Sequence, residues 1–181
     1  MLFKSKEDYE TGKLLSSHGM TTLSYERSKG HSSDYDVVGL GYNYRIDDIR
    51  ASLALEQIKK IPEDYKKRKK VRETYMELLS GVDNLTIPFI DRTDYASNYI
   101  FPIIVANCDR NAVRSYLQSN GIQTSMHYPA VHRFSIYKDF SVSLPKTEHV
   151  ADNLITLPMY GDLTNAEIEY VCQSLIEALV D

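Results

Sequence analysis

"VVGLGYNYRIDDIRASLALEQIKKI", Val37 to Ile61, changes character partway along. Its first part carries Gly39, Gly41 and the cluster Tyr42-Asn43-Tyr44-Arg45. Its second part places Ile46, Ile49, Leu53 and Ile58 near helical spacing, with alanines beside them. Asp47 and Asp48 fall in the first turn, where the helix dipole favours negative charge. A glycine-rich turn with a polar tip at a helix start suits an anion, because backbone N–H groups and a carboxamide can donate to it. The spacing is neither the dinucleotide nor the phosphate-loop pattern. A structural turn, with Asn43 tying down loop carbonyls, explains the same residues.

Downstream, Pro62 should kink this helix or open a second one that ends near Leu79, before Gly81. Ile61, Tyr65, Arg72, Tyr75, Met76 and Leu79 trace one stripe, with Arg72 lying along it by its aliphatic stem. The basic run "KKRKK" at 66–70 falls mostly off that stripe, so it reads as a solvated face rather than a nucleic-acid patch. Upstream, Ser5 is a candidate cap for a helix through "KEDYETGKLL", and Gly19 suits the left-handed position past its end. Residues 21–36 are polar and read as a long loop.

After Gly81 the pattern alternates. "LTIPFI" (85–90) and "NYIFPIIVAN" (98–107) are β-branched and aromatic and predict strands. "DRNAVRSYLQSNG" (109–121) predicts a helix with an acidic cap and a glycine stop. "IQTSMHY" (122–128) alternates and predicts a short strand. "KTEHVADNLITLPMY" (146–160) begins helical and ends extended. "TNAE" (164–167) is a capping box, opening a last helix with the stripe Ile168, Val171, Leu175, Leu179.

The composition is that of a globular chain: 181 residues, 43% hydrophobic, 25% charged, net charge −4. The mild acidity argues against a general nucleic-acid binder. Fourteen tyrosines and no tryptophan suit half-wet clefts and interfaces. Cys108 and Cys172 match no zinc or redox spacing. With no signal peptide and no apolar run able to span a bilayer, the sequence predicts a cytoplasmic protein.

His127 ends a predicted strand just before the turn at Pro129, where sites accumulate. A lone histidine there is also an ordinary hydrogen-bonded structural residue. Its spacing to His132 lacks a third ligand, so no metal site is expected. His18, in "SSHG", is a weaker candidate. No nucleophile-and-base arrangement and no paired carboxylates stand out.

Taken together, "LLSSHGMT" (14–21), "YDVVGLGYNYRIDDIRASLALEQI" (35–58), "GIQTSMHYPAVH" (121–132) and "TEHVADNLITLPMYGDLTNAEIEYVCQSL" (147–175) resemble, in order, the DegT/DnrJ/StrS-type aminotransferases. These are PLP-dependent nucleotide-sugar aminotransferases of fold type I, and the resemblance spans essentially the whole chain. It implies an α/β fold: a remnant of the large PLP domain (1–61), a long kinked linking helix (62–81), and a small α+β C-terminal lobe with a short sheet (82–181).

The resemblance further implies transfer of an amine from an amino donor, usually glutamate, to a nucleotide-linked keto-sugar, in polysaccharide or deoxyamino-sugar biosynthesis. Dehydration at a sugar carbon, also PLP-based, is the family's other chemistry. Asn43, with Tyr42 beside it, is expected at the phosphate of PLP held by a neighbouring subunit. His127, and with it His18, is expected near the substrate.

Met1 aligns just after the glycine pair that follows the Schiff-base lysine. The chain is therefore expected to be the C-terminal part of such an enzyme, without that lysine. By itself it should be inactive and should not hold PLP stably. Its expected partners are a second copy or a lysine-bearing N-terminal half. The alternative is a non-catalytic dimerisation or sugar-nucleotide- or anion-binding module derived from the family.

Overall fold

The computed structural model describes residues 2–21, 36–91, 96–140 and 142–180. The chain divides into two compact units, Met1–Lys59 and Lys60–Asp181.

In the first unit, α1 (Lys6–Leu15) starts as the sequence predicts: Ser5 Oγ accepts from Asp8 N at 3.0 Å, with Glu7 and Asp8 in the first turn. Past its end the Gly19 N–H reaches back to Leu14 O at 2.9 Å. Gly19 has φ +69°, and a Cβ there would lie 2.0 Å from Gly39 O. A Cβ on Gly41 would lie 2.1 Å from Gly19 N. The two backbones approach so closely that only glycine fits. The predicted loop lies outside the described residues over 22–35.

The helix opened by Asp47 and Asp48 forms. Here α2 (Asp48–Leu78) is one run of 31 residues that passes through Pro62. The proline does not end it or start a second helix. It forfeits one backbone donor, which a long helix tolerates at a cost. Within the first unit, Ile46, Ile49, Leu53 and Ile58 are all exposed.

In the second unit, β1 (Leu85–Thr86), β2 (Phe101–Val105) and β3 (Leu154–Leu157) form an antiparallel sheet in that order. Helices α3 (Arg110–Ser119), α4 (Pro145–Asn153) and α5 (Asn165–Val180) accompany it. The buried core joins Val71 and Tyr75 of α2, and Leu79 just past its end, to Phe101, Ile103 and Val105 of β2 and to Ile168 and Leu175 of α5. β2 alternates buried and half-buried residues, whereas all four residues of β3 are buried.

Both predicted helix starts hold. Asp109 Oδ1 accepts from Asn111 N at 2.8 Å, and Thr164 with Glu167 forms a reciprocal capping box. The predicted strands shrink. Only Leu85–Thr86 of 85–90 pairs, because Pro88 cannot donate to a ladder and Phe89 turns into a positive φ of 59°. The 98–107 strand is bounded by Asn98 and Asn107, both at positive φ. The 122–128 strand reduces to a single bridge, Ser125 with Thr156.

That bridge explains how Pro102 sits in the central strand. Thr156 N and O both bond Ser125, at 2.8 and 3.1 Å. They therefore face away from β2, and Pro102, opposite Thr156, occupies a non-hydrogen-bonded pair where its missing N–H costs no ladder bond.

The stripe along the end of α2 is shorter than predicted. Ile61 and Tyr65 are exposed, and burial begins at Val71. Arg72 is covered beyond its stem: only 7% of the residue is exposed, and its guanidinium lies 5.9 Å from the centre of the Phe101 ring. The lysines of 66–70 are solvated as expected, with Lys66, Lys67 and Lys69 in ion pairs.

Candidate functional site

The sequence-predicted residues fall into two groups, one in each unit. In the first unit, residues 16–20 pair with 37–44. His18 N donates to Tyr42 O at 2.9 Å, and Tyr44 N donates to Ser16 O at 3.0 Å. These bonds flank Ser17 and Asn43, which face each other as a bridge. In a non-hydrogen-bonded pair of this kind, the Asn43 N–H points away from the partner segment.

Alternation then sorts the side chains. Tyr42 and Tyr44 share one face and stack with centroids 5.2 Å apart. They line a cavity of about 780 Å³ with Phe3, Tyr9 and Leu15. Asn43 and Arg45 lie on the opposite face with Ser17. Arg45 Nη1 donates to Ser17 Oγ at 3.1 Å, and Nη2 lies 3.3 Å from His18 Nε2. The result is an exposed carboxamide beside a guanidinium held by Ser17 and His18 among the described residues. Such a donor set accepts an anion. Three of the predicted residues, His18, Tyr42 and Asn43, thus meet in one hairpin. His18 is spent there on Arg45, as a support.

In the second unit, His127 follows the Ser125 bridge. Its Nδ1 lies 3.3 Å from Ser125 Oγ and 3.2 Å from Thr156 Oγ1. The ring meets Tyr128 edge-on, 4.9 Å between centroids. Two hydroxyls occupy one edge of the imidazole and leave Nε2 on the other. His127 borders a cleft of about 560 Å³ with Tyr99, Thr124 and Tyr160 among its walls. It also borders a more apolar one of about 800 Å³, whose lining includes Tyr128, Phe140 and Lys146. The segment carrying this second cleft is pinned by Glu148. Its Oε1 accepts from Leu144 N at 2.8 Å and lies 3.0 Å from His132 Nε2. The Leu144 amide first, and the His132 ring second, hold the Glu148 carboxyl below its usual range.

Neither cysteine is set up as a nucleophile. Burial pushes the Cys172 thiol up to about 12 and the Cys108 thiol up as well. Among the described residues no group of three His, Cys, Asp or Glu could hold a metal ion. No helix among them is long and apolar enough to cross a membrane.

The sequence reading missed three supports. Ser125 was findable, since positions 125 and 127 share a strand face. Thr156 and Ser17 were not, because each reaches its site from a distant segment.

A sequence profile of the DegT/DnrJ/EryC1/StrS aminotransferase family matches residues 1–176. Among solved structures, the chain is similar to Helicobacter pylori PseC, an aminotransferase involved in the biosynthesis of pseudoaminic acid. There the identity is 23% and the TM-score 0.85, over 97% of this chain and 47% of that one. It is similar to the aminotransferase TlmJ from Streptoalloteichus hindustanus, at 26% identity and TM-score 0.84, over 98% and 46%. It is also similar to Spr1654 from Streptococcus pneumoniae in its PLP form, at 25% identity and TM-score 0.82, over 98% and 45%. The chain therefore spans less than half the length of these structures. Its architecture is that of part of a fold type I aminotransferase, a small sheet-and-helix lobe preceded by a long helix. By the profile match over nearly its whole length, the chain belongs to the DegT/DnrJ/EryC1/StrS aminotransferase family.

Proposed function

We propose that this chain contributes the C-terminal part of a PLP-dependent aminotransferase acting on a nucleotide-linked keto-sugar. The observation that carries the reading is the face shared by Asn43 and Arg45, held by the 16–18 segment. PLP, when bound, supplies the electron sink and carries the amino group. Its phosphate needs directed donors, and this face offers a carboxamide, a guanidinium and an outward N–H. Tyr42, on the far face, supports the strand from behind.

His127 is the group proposed to meet the substrate. Its Nδ1 edge is held by hydroxyls, so Nε2 is free to donate to or accept from a sugar hydroxyl or carbonyl. His18 acts indirectly, by orienting Arg45. The partner proposed is a second subunit, whose PLP phosphate this face would meet, and the compartment proposed is the cytoplasm.

A second reading, a dimerisation or anion-binding module, rests on the exposed apolar side chains of Ile46, Ile49, Leu53 and Ile58. Mixing the chain with a polypeptide carrying the lysine-bearing half of a family member separates the two. The transferase reading expects glutamate-dependent amination of a keto-sugar nucleotide only in the mixture. Tight association without any amination would leave the module reading.

A further inference from the structure

Among the described residues, Arg72 is a buried cation without an acid. Its helix neighbours at three and four positions are Arg68, Lys69, Tyr75 and Met76, none of them acidic. Among the described residues only Nη2 is bonded, to Phe89 O at 3.1 Å. Nε is buried with no partner, and so is Oδ1 of Asn98, a residue 7% exposed. Both residues line one cavity of about 600 Å³. Phe89 and Asn98, which border it, have positive φ values of 59° and 49°. Strain of that kind collects where a ligand is clamped. Asp91 lines the same cavity, and no ion pair joins it to Arg72.

The chemistry of an occupant follows from these groups. A guanidinium without a counterion asks for a carboxylate. Asn98 Oδ1 and the Asp91 carboxylate are acceptors, and they ask for a cationic donor. Pro88, Phe89, Ile100 and Pro102 make the remaining wall apolar. We infer that the cavity binds an apolar α-amino acid, its carboxylate on Arg72, its ammonium on Asn98 and Asp91, its side chain on the apolar wall. A simple dianion is disfavoured by Asp91, and a simple amine by Arg72.

Calorimetry and saturation-transfer NMR on the full chain test this with L-leucine, 4-methylpentanoate, which lacks the ammonium, and 3-methylbutylamine, which lacks the carboxylate. Leucine is expected to saturate with a Kd on the order of 0.1–1 mM, and each truncated probe to bind at least about tenfold more weakly. Arg72→Lys keeps the charge and loses the planar fork, and Asn98→Gly removes the acceptor while suiting the positive φ. Each should weaken leucine by about tenfold. No leucine binding at about 20 mM, leaving ordered water as the only occupant, overturns the assignment. So does equal binding of 4-methylpentanoate, or leucine affinity unchanged in either variant with a native circular dichroism spectrum.

Discussion

Nδ1 of His127 lies 3.2 Å from Oγ1 of Thr156, a residue of β3 twenty-nine positions later. The contact fixes one edge of the imidazole to the sheet. Replacing Thr156 with Val keeps the shape and removes the hydroxyl, leaving Ser125 as the remaining partner. About 1 kcal/mol of stability should be lost. The long-range ¹H–¹⁵N NMR pattern of His127 should change its tautomer balance, which a bystander histidine would not do. A spectrum identical to that of the unaltered chain would show that Thr156 does not orient the ring.

Asn43 is exposed, so its loss should hardly touch the fold. Asn43→Ala is expected to change the stability of the isolated chain by under about 0.5 kcal/mol. Once the lysine-bearing half is supplied, a charge-assisted hydrogen bond worth about 1.5–3 kcal/mol disappears, and PLP binding should weaken by about ten- to a hundredfold. The opposite outcome, a lower melting temperature with unchanged PLP affinity, would make Asn43 a loop tether.

Glu148 gives a pH dependence with a definite sign. Its carboxyl is held below the usual range by the Leu144 amide and by His132. Stability from this group is complete above the unfolded carboxylate value, about 4.3, and is lost as pH falls through the lower folded value. Glu148→Gln should flatten the acid side of a melting-temperature profile. A profile unaltered below about pH 4.5 would mean that the carboxylate contributes nothing there.

The first half of α2 presents Ile49, Leu53 and Ile58 to solvent. Exposed apolar side chains of this kind favour association. Sedimentation equilibrium at micromolar concentration should show a dimer or larger species. Leu53→Glu should shift it toward monomer with little loss of helix. A clean monomer for the unaltered chain would remove the basis for a homo-oligomer.

Local chemistry was legible from the chain alone. Ser5, Asp109 and the Thr164–Glu167 box mark helix starts because their partners lie within three residues. The Gly19 and Gly121 turns are equally local, each at positive φ. The stripe of Ile168, Val171 and Leu175 announced the buried face of α5. The order of four short segments likewise carries the resemblance to the family.

What the sequence left open depends on partners far along the chain. The strand over 122–128 shrinks to one bridge because Thr156 alone meets it. α2 runs through Pro62 as one helix, where local rules also allowed a second helix to begin. The Arg72 head is buried because Phe89 O and the Phe101 ring cover it, and helical periodicity speaks only of its stem. Asn43 faces Ser17, and His127 meets Thr156, through backbone pairings that no spacing rule contains. A side chain's neighbours in sequence set its propensity. Its hydrogen-bond partners across a sheet or hairpin are set by how distant segments pack, and that is decided only when the whole chain folds.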